Sequence, residues 1–195
     1  MLQTKNPSVI ALSTASAASV TGLAFISPII LLIKNHYNTS SNEVQLTITI
    51  YLVAICISQI FWGPLSDLVG RRVVLIIGAS LFSLGGILAS LNLAFEVFVF
   101  FRFLQGVGAA ACLSMPRVML TESYGVKKAA AKMSTLLAFM AIFPILSAAF
   151  GGYIGENYGW QTNLSTLFIF GAIFFSLNYL YSPETIKHKN KRLTF

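Results

Sequence analysis

Gly63-Pro64-Leu65-Ser66-Asp67-Leu68-Val69-Gly70-Arg71-Arg72 is the stretch on which the reading of this chain turns. Uncharged apolar runs at 44–65 and 73–94 meet it from either side. Each supplies the ~20 residues that an α-helix needs to cross a hydrocarbon core of about 30 Å. A charged stretch this short between two spans predicts a tight hairpin at a membrane surface. Gly63 is expected to let two helices approach closely, Pro64 to lie near a helix end, and Gly70 to permit a turn at positive φ. Asp67, Arg71 and Arg72 cannot remain in lipid, so they belong at an interface or inside a protein contact.

Composition agrees. Hydrophobic residues make up 56% of the 195 and charged residues only 10%, against roughly 25% charged in soluble domains. That balance excludes a soluble domain. A net charge of +7 would suit nucleic acid, but the cations fall in a few loops and the C-terminal tail, as membrane topology demands. The expected partner is the lipid bilayer, with no nucleic acid. Cys56 and Cys112 each lie deep in an apolar run, at a spacing that suggests neither a metal site nor a disulfide framework. His36 and His188 lie in polar segments. No Ser, His and Asp arrangement and no pair of carboxylates points to catalysis, so neither an enzyme nor a cofactor is expected.

Six apolar runs follow one another, at 9–33, 44–65, 73–94, 97–119, 133–154 and 164–181. The first is too long for a signal-peptide core of about 7–15 residues, which predicts a retained helix. Pro28 in the first run and Pro144 in the fifth are expected to kink their helices. Polar stretches at 34–43, 120–132 and 156–163 read as loops, and 92–96 as a short turn. Ala79, Ser83, Gly86 and Ser90 line one side of the third run and predict a close helix contact. The fold class is all-α, a polytopic membrane protein of six transmembrane helices. Lys5, Arg71, Arg72, Lys127, Lys128, Lys132, Lys187, Lys189, Lys191 and Arg192 then fall on one side, against Lys34 alone on the other. Both termini are therefore expected in the cytoplasm.

Gly152 to Gly159 repeats the pattern of Gly63 to Gly70 as G-x-[LI]-x-[DE]-x-x-G. One copy joins spans two and three, the other spans five and six. A three-helix unit repeated in this way must be inverted, because an odd number of crossings reverses the second copy. The expected organisation is one six-helix bundle, with repeat one at about 9–94, repeat two at about 97–181 and a basic tail at 182–195.

The pattern G-x-L-x-D-x-x-G-R-R at 63–72 resembles the signature loop of the major facilitator superfamily. Arg102-Phe103-Leu104-Gln105-Gly106 is similar to its fourth-helix motif R-x-x-Q-G, and Gly159-Trp160 and Pro183-Glu184-Thr185 also look familial. Pro28 upstream of Gln45, the entry Ser58 to Pro64 and the Arg117 to Glu122 region resemble the bacterial drug/proton antiporters of the bicyclomycin- and chloramphenicol-resistance type. The resemblance implies half of a twelve-helix carrier in the bacterial inner membrane, moving drugs or other small molecules by alternating access. Its partner would be a second six-helix half or another copy of itself. The alternative is a non-transporting protein, either a truncated relic or a helper subunit of another carrier. The resemblance further implies that the signature loop, with Gly63, Asp67, Gly70, Arg71, Arg72 and Glu122 in one charge cluster, gates the cytoplasmic side.

Two departures bear on coupling to the proton-motive force. Where that branch often carries an acidic residue four positions before the first-helix proline, this chain has Ala24. Where its fifth helix reads G-P-x-x-G-G, this chain has Ser147 to Gly152 without the proline. No Asp or Glu falls in the middle third of any run, so this half offers no obvious proton carrier. Arg102 is the costliest residue to place in a bilayer, at about 2.5–3.5 kcal/mol near a helix centre. It faces either a cavity, where it would hold a substrate, or the outer interface, by snorkelling. Gln59, Gln105 and Tyr51 either line the same cavity or act as polar glue between helices.

Overall fold

The computed structural model describes residues 6–186. The basic residues at 187–192 and Lys5 lie outside the described residues. The elements are α1 (Val9–Ala24), a 3-10 turn (Ser27–Ile29), α2 (Ile30–Tyr37), α3 (Ser41–Val69), α4 (Arg71–Ala89), α5 (Phe95–Tyr158) and α6 (Trp160–Tyr181). Five helical stretches are long and apolar enough to cross a membrane, α1 and α2 counting as one, Val9–Tyr37. The 64 residues of α5 would extend about 96 Å as a straight helix, three membrane cores end to end. They do not run straight. Gly125 interrupts them at φ 70°, ψ 157°, and Arg117 Nη2 lies 3.6 Å from Met140 Sδ across the break, a pair separated by about 34 Å in an unbroken helix. The arms 95–124 and 126–158 therefore fold back on each other. Among the described residues there are six crossing segments, as the sequence predicts.

The connections are shorter than the sequence suggests. The expected loop at 34–43 shrinks to a few residues. α2 runs on to Tyr37 and ends at Asn38 in the left-handed region, and α3 starts with a capping box. There Ser40 Oγ accepts from Glu43 N at 3.2 Å, and Glu43 Oε2 accepts from Ser40 N at 2.8 Å. The expected loops at 120–132 and 156–163 are mostly helical, and α3 continues through Pro64 to Val69. Gly70, Gly125 and Gly159 each carry a reversal alone, at φ 117°, 70° and 86°. That backbone region is nearly closed to residues with a Cβ, so a single glycine does what a polar loop was expected to do. Gly70 and Gly159, which end the two copies of the repeated pattern, share one local geometry. Each gives its N–H to the carbonyl four residues back, Ser66 at 3.0 Å and Gly155 at 3.1 Å.

Pro28 lies in the 3-10 turn and interrupts the first span as expected. Pro144 does not break its helix, since Gly125 is the one residue of α5 outside helical angles.

Residues 11–19 of α1 are buried without interruption, and the helix packs against both α5 and α6. Three of its small hydroxyl residues suit that place, because their hydroxyls bond the helix's own backbone and need no outside partner. Ser13 donates to Val9 O at 2.8 Å, Thr14 to Ala11 O at 2.7 Å and Ser19 to Ser16 O at 2.8 Å. The small-residue side of α4 makes the expected close contact. Ser83 Oγ donates to Phe168 O of α6 at 3.0 Å, and a Cβ on Gly86 would lie 3.4 Å from Leu167.

Candidate functional site

Three groupings of side chains stand out. At the Gly70 end, Asp67 in the last turn of α3 and Arg71 in the first turn of α4 form an ion pair across the glycine. Arg71 also donates to Ser66 Oγ, and its Nε reaches Glu122 Oε1 at 3.1 Å. The second oxygen of Glu122 accepts from Thr185 Oγ1 at 2.7 Å. The structure thus gathers Asp67, Gly70, Arg71 and Glu122 as one cluster. Arg72 departs from it: its Nη2 donates to Tyr179 O at 2.7 Å and its guanidinium stands 5.3 Å from that ring. Gly63 does not serve the close approach expected of it, because a Cβ there would meet nothing within 4 Å. Its carbonyl accepts from Ser66 Oγ at 2.7 Å.

Glu184 completes this grouping, and the sequence reading gave it no role. Its carboxylate accepts the N–H of Arg71 at 3.0 Å and of Arg72 at 3.3 Å, together with those of Thr185 and Ile186. A helix leaves its first N–H groups without internal partners and carries partial positive charge there. The α4 cap residue is Gly70, which has no side chain to satisfy them. A carboxylate more than a hundred residues away does so, seated where a Gly70 side chain would be. Two arginines opening a helix behind a glycine signal that an acid is needed, but nothing in their neighbourhood says where it comes from.

The second grouping is fully inside. Arg102, Gln105 and Tyr51 are each 0% exposed. Arg102 donates to Gln105 Oε1, one turn on, and through Nη2 to Gly22 O of α1 at 3.1 Å. Its guanidinium lies 4.5 Å from the Tyr51 ring centre, and Tyr51 donates to Ser19 O at 2.7 Å. Arg102 therefore neither snorkels nor lines an open cavity. It ties α1, α3 and α5 together with neutral oxygens and a π face. Arg102 Nε and Gln105 Nε2 have no partner. The six acidic residues of the chain are Glu43, Asp67, Glu96, Glu122, Glu156 and Glu184, and among the described residues none pairs with Arg102. Gln59 is separated from this group and is exposed on α3.

The third grouping is a cleft of about 630 Å³ between α1, α3 and the second arm of α5, lined by Val20, Leu23, Ala24, Ile48, Pro144 and Ile145 among others. Its lining carries no charge. Pro144 contributes a wall here rather than a kink. Ala24 stands in this lining, so the position that would hold an acid in a drug/proton antiporter is apolar.

Residues 12–194 match the family described as Major Facilitator Superfamily. The chain belongs to the major facilitator superfamily. This facilitator chain is 30% identical over 148 residues to Multidrug resistance protein MdtL of Escherichia coli, covering 76% of its own length and 38% of that protein. It is 25% identical over 170 residues to the Bicyclomycin resistance protein homolog of Haemophilus influenzae, covering 87% and 43%. A crystal structure of a D-xylose-proton symporter matches it with a TM-score of 0.80 at 16% identity, covering 91% of this chain and 48% of that one. The last likeness shows the fold alone. The facilitator spans less than half the length of the curated relatives it matches. As a member of this superfamily it is an integral membrane protein, and the resemblance to drug-resistance carriers read from its motifs holds. In place of that branch's fifth-helix proline motif, Ser147 Oγ lies 3.4 Å from Thr21 Oγ1, and Asn163 Nδ2 donates to Gly151 O at 2.5 Å.

Proposed function

We propose that this chain is one six-helix half of a secondary carrier that exports drugs or other small apolar molecules by alternating access. The observation that carries the reading is the uncharged cleft between α1, α3 and the second arm of α5, of a size within the usual range of ligand pockets, about 300–1,000 Å³. The multidrug-resistance relatives support it. In this reading the cleft is one wall of a path completed by a second six-helix half or a second copy of the chain. Repeats 9–94 and 97–181 are inverted copies, and the shared geometry of Gly70 and Gly159 supports that relation. The Asp67, Arg71 and Glu122 cluster is the cytoplasmic gate, and the open space beside Gly63 takes a helix of the other half. The protein resides in the bacterial inner membrane with both termini in the cytoplasm.

The test is export. The chain is expressed in cells stripped of efflux pumps, alone and together with the C-terminal half of MdtL, and accumulation of a neutral fluorescent substrate is followed. Ala148 also lines the cleft, and energy-dependent export that disappears on filling it with Ala148→Phe supports the reading. Export insensitive to that change overturns the placement of the path. No export by any pairing, including crosslinked copies of the chain, favours the helper-subunit reading.

A further inference from the structure

At the Gly70 end, outside the gate cluster, a cavity of about 330 Å³ opens between α4, α6 and the segment leading into α1. Asn6 and Ser8 line it from one side, Arg72 from α4, and Tyr179, Tyr181 and Pro183 from the end of α6. We propose that it is a binding site for the phosphate of an anionic phospholipid, with Arg72 as its charged ligand.

Arg72 is free for that work in a way that its neighbour is not. Arg71 is paired with both Asp67 and Glu122, whereas among the described residues Arg72 has no ion pair. Its Nε is a buried donor without a partner, and the one side-chain bond it makes is to a main-chain carbonyl, Tyr179 O. Glu184, which accepts the Arg72 N–H, spends its oxygens on four main-chain N–H groups, so its charge is largely answered before it meets a ligand. A guanidinium with donors to spare, held over a tyrosine ring, presents a fork that suits a phosphate.

The surroundings select a lipid rather than a free ion. Tyr179, Leu180 and Tyr181 are more than half exposed at the end of a membrane helix, the place where tyrosine sits at headgroup level. Val73 and Ile77 of α4 and Ile169 and Ile173 of α6 are exposed further along the same two helices, leaving apolar surface for acyl chains beyond the headgroup. The cavity is thus polar where a phosphate would lie, and the apolar surface for its tails lies outside it, along α4 and α6.

The test uses the whole chain purified in detergent and titrated with phosphatidylglycerol, phosphatidylcholine or inorganic phosphate, with retained ligand counted by native mass spectrometry. One phosphatidylglycerol is expected per chain, with Arg72→Gln weakening it about ten-fold and Arg72→Lys by less, since the lysine keeps the charge and loses the fork. A variant with Lys187, Lys189, Lys191 and Arg192 all changed to Gln should bind as the wild type does. A photoreactive phosphatidylglycerol should label residues 179–183 of the unmodified chain, which tests the site even if Arg72 variants fail to fold. Binding lost with the tail variant but kept in Arg72→Gln, labelling elsewhere, or inorganic phosphate bound as tightly as the lipid would each overturn the proposal.

Discussion

Glu184 caps a helix to which it is not adjacent. Replacing it by Gln keeps the acceptor oxygen but removes the charge facing the α4 terminus, and should cost about 1 kcal/mol; Ala should cost about 2 kcal/mol. Thermal unfolding in detergent reads the order wild type, Gln, Ala, and three equal midpoints would remove the cap. Arg102 behaves differently, because a buried guanidinium without a counter-charge is itself expensive. Arg102→Met should therefore change stability by less than about 1 kcal/mol, whereas Gln105→Leu, which strips the charge of its side-chain acceptor, should cost about 2 kcal/mol. Equal losses from the two would show that the arginine is a net stabiliser. At this scale legibility followed sequence distance. Asp67 and Arg71 are four apart and read directly as a pair. Glu184 and Arg71 are joined only by the fold, and Gln59, a polar residue among apolar ones just like Gln105, faces outward.

At the scale of the element, the turns are the finding. Helix existence was legible from apolar run length, and six spans follow from it. Helix ends were not, because charged and polar residues near a membrane surface read as loop while a helix projecting beyond the lipid accepts them equally well. Lys127, Lys128 and Lys132 stay helical in the arm that begins after Gly125. Gly125 and Gly70 separate two costs. A Cβ on Gly125 meets nothing within 4 Å, so Gly125→Ala costs only the backbone strain of φ 70°, ψ 157°, about 1–3 kcal/mol. Gly70→Ala adds a collision with the Glu184 carboxylate and should be the more damaging of the two by melting temperature. In the Glu184→Ala background that excess should vanish. Should Gly70→Ala remain as costly without Glu184, the collision is not its cause.

For the whole molecule, the proposed division into two halves sets an expectation about activity. In the proposed reading one half supplies only one wall of the path, so the chain alone, kept monomeric, should insert without exporting substrate. Export by a chain shown to be monomeric in the membrane would contradict this. Orientation is checked separately: a cysteine in place of Asn38 should react with an impermeant maleimide in intact cells, and one in place of Lys127 should not. The reverse pattern would invert the topology. The family and the span count were legible because each rests on local pattern. The uncharged cleft was not, since Val20, Ile48 and Pro144 share a wall only after three helices have packed.

The single-glycine turns also decide where this protein can be cut. A protease must draw several residues into an extended strand, and helices joined by one residue offer no such strand without unwinding at both sides. Between Val9 and Tyr181, apart from the buried turn at 25–26, susceptibility is left to 38–40 and 90–94, and His36 Nε2, in the last turn of α2, lies 2.7 Å from Asn92 Oδ1 of the second segment. Limited digestion of the folded chain should therefore yield few internal fragments, with their ends in these two segments and none at Gly70, Gly125 or Gly159.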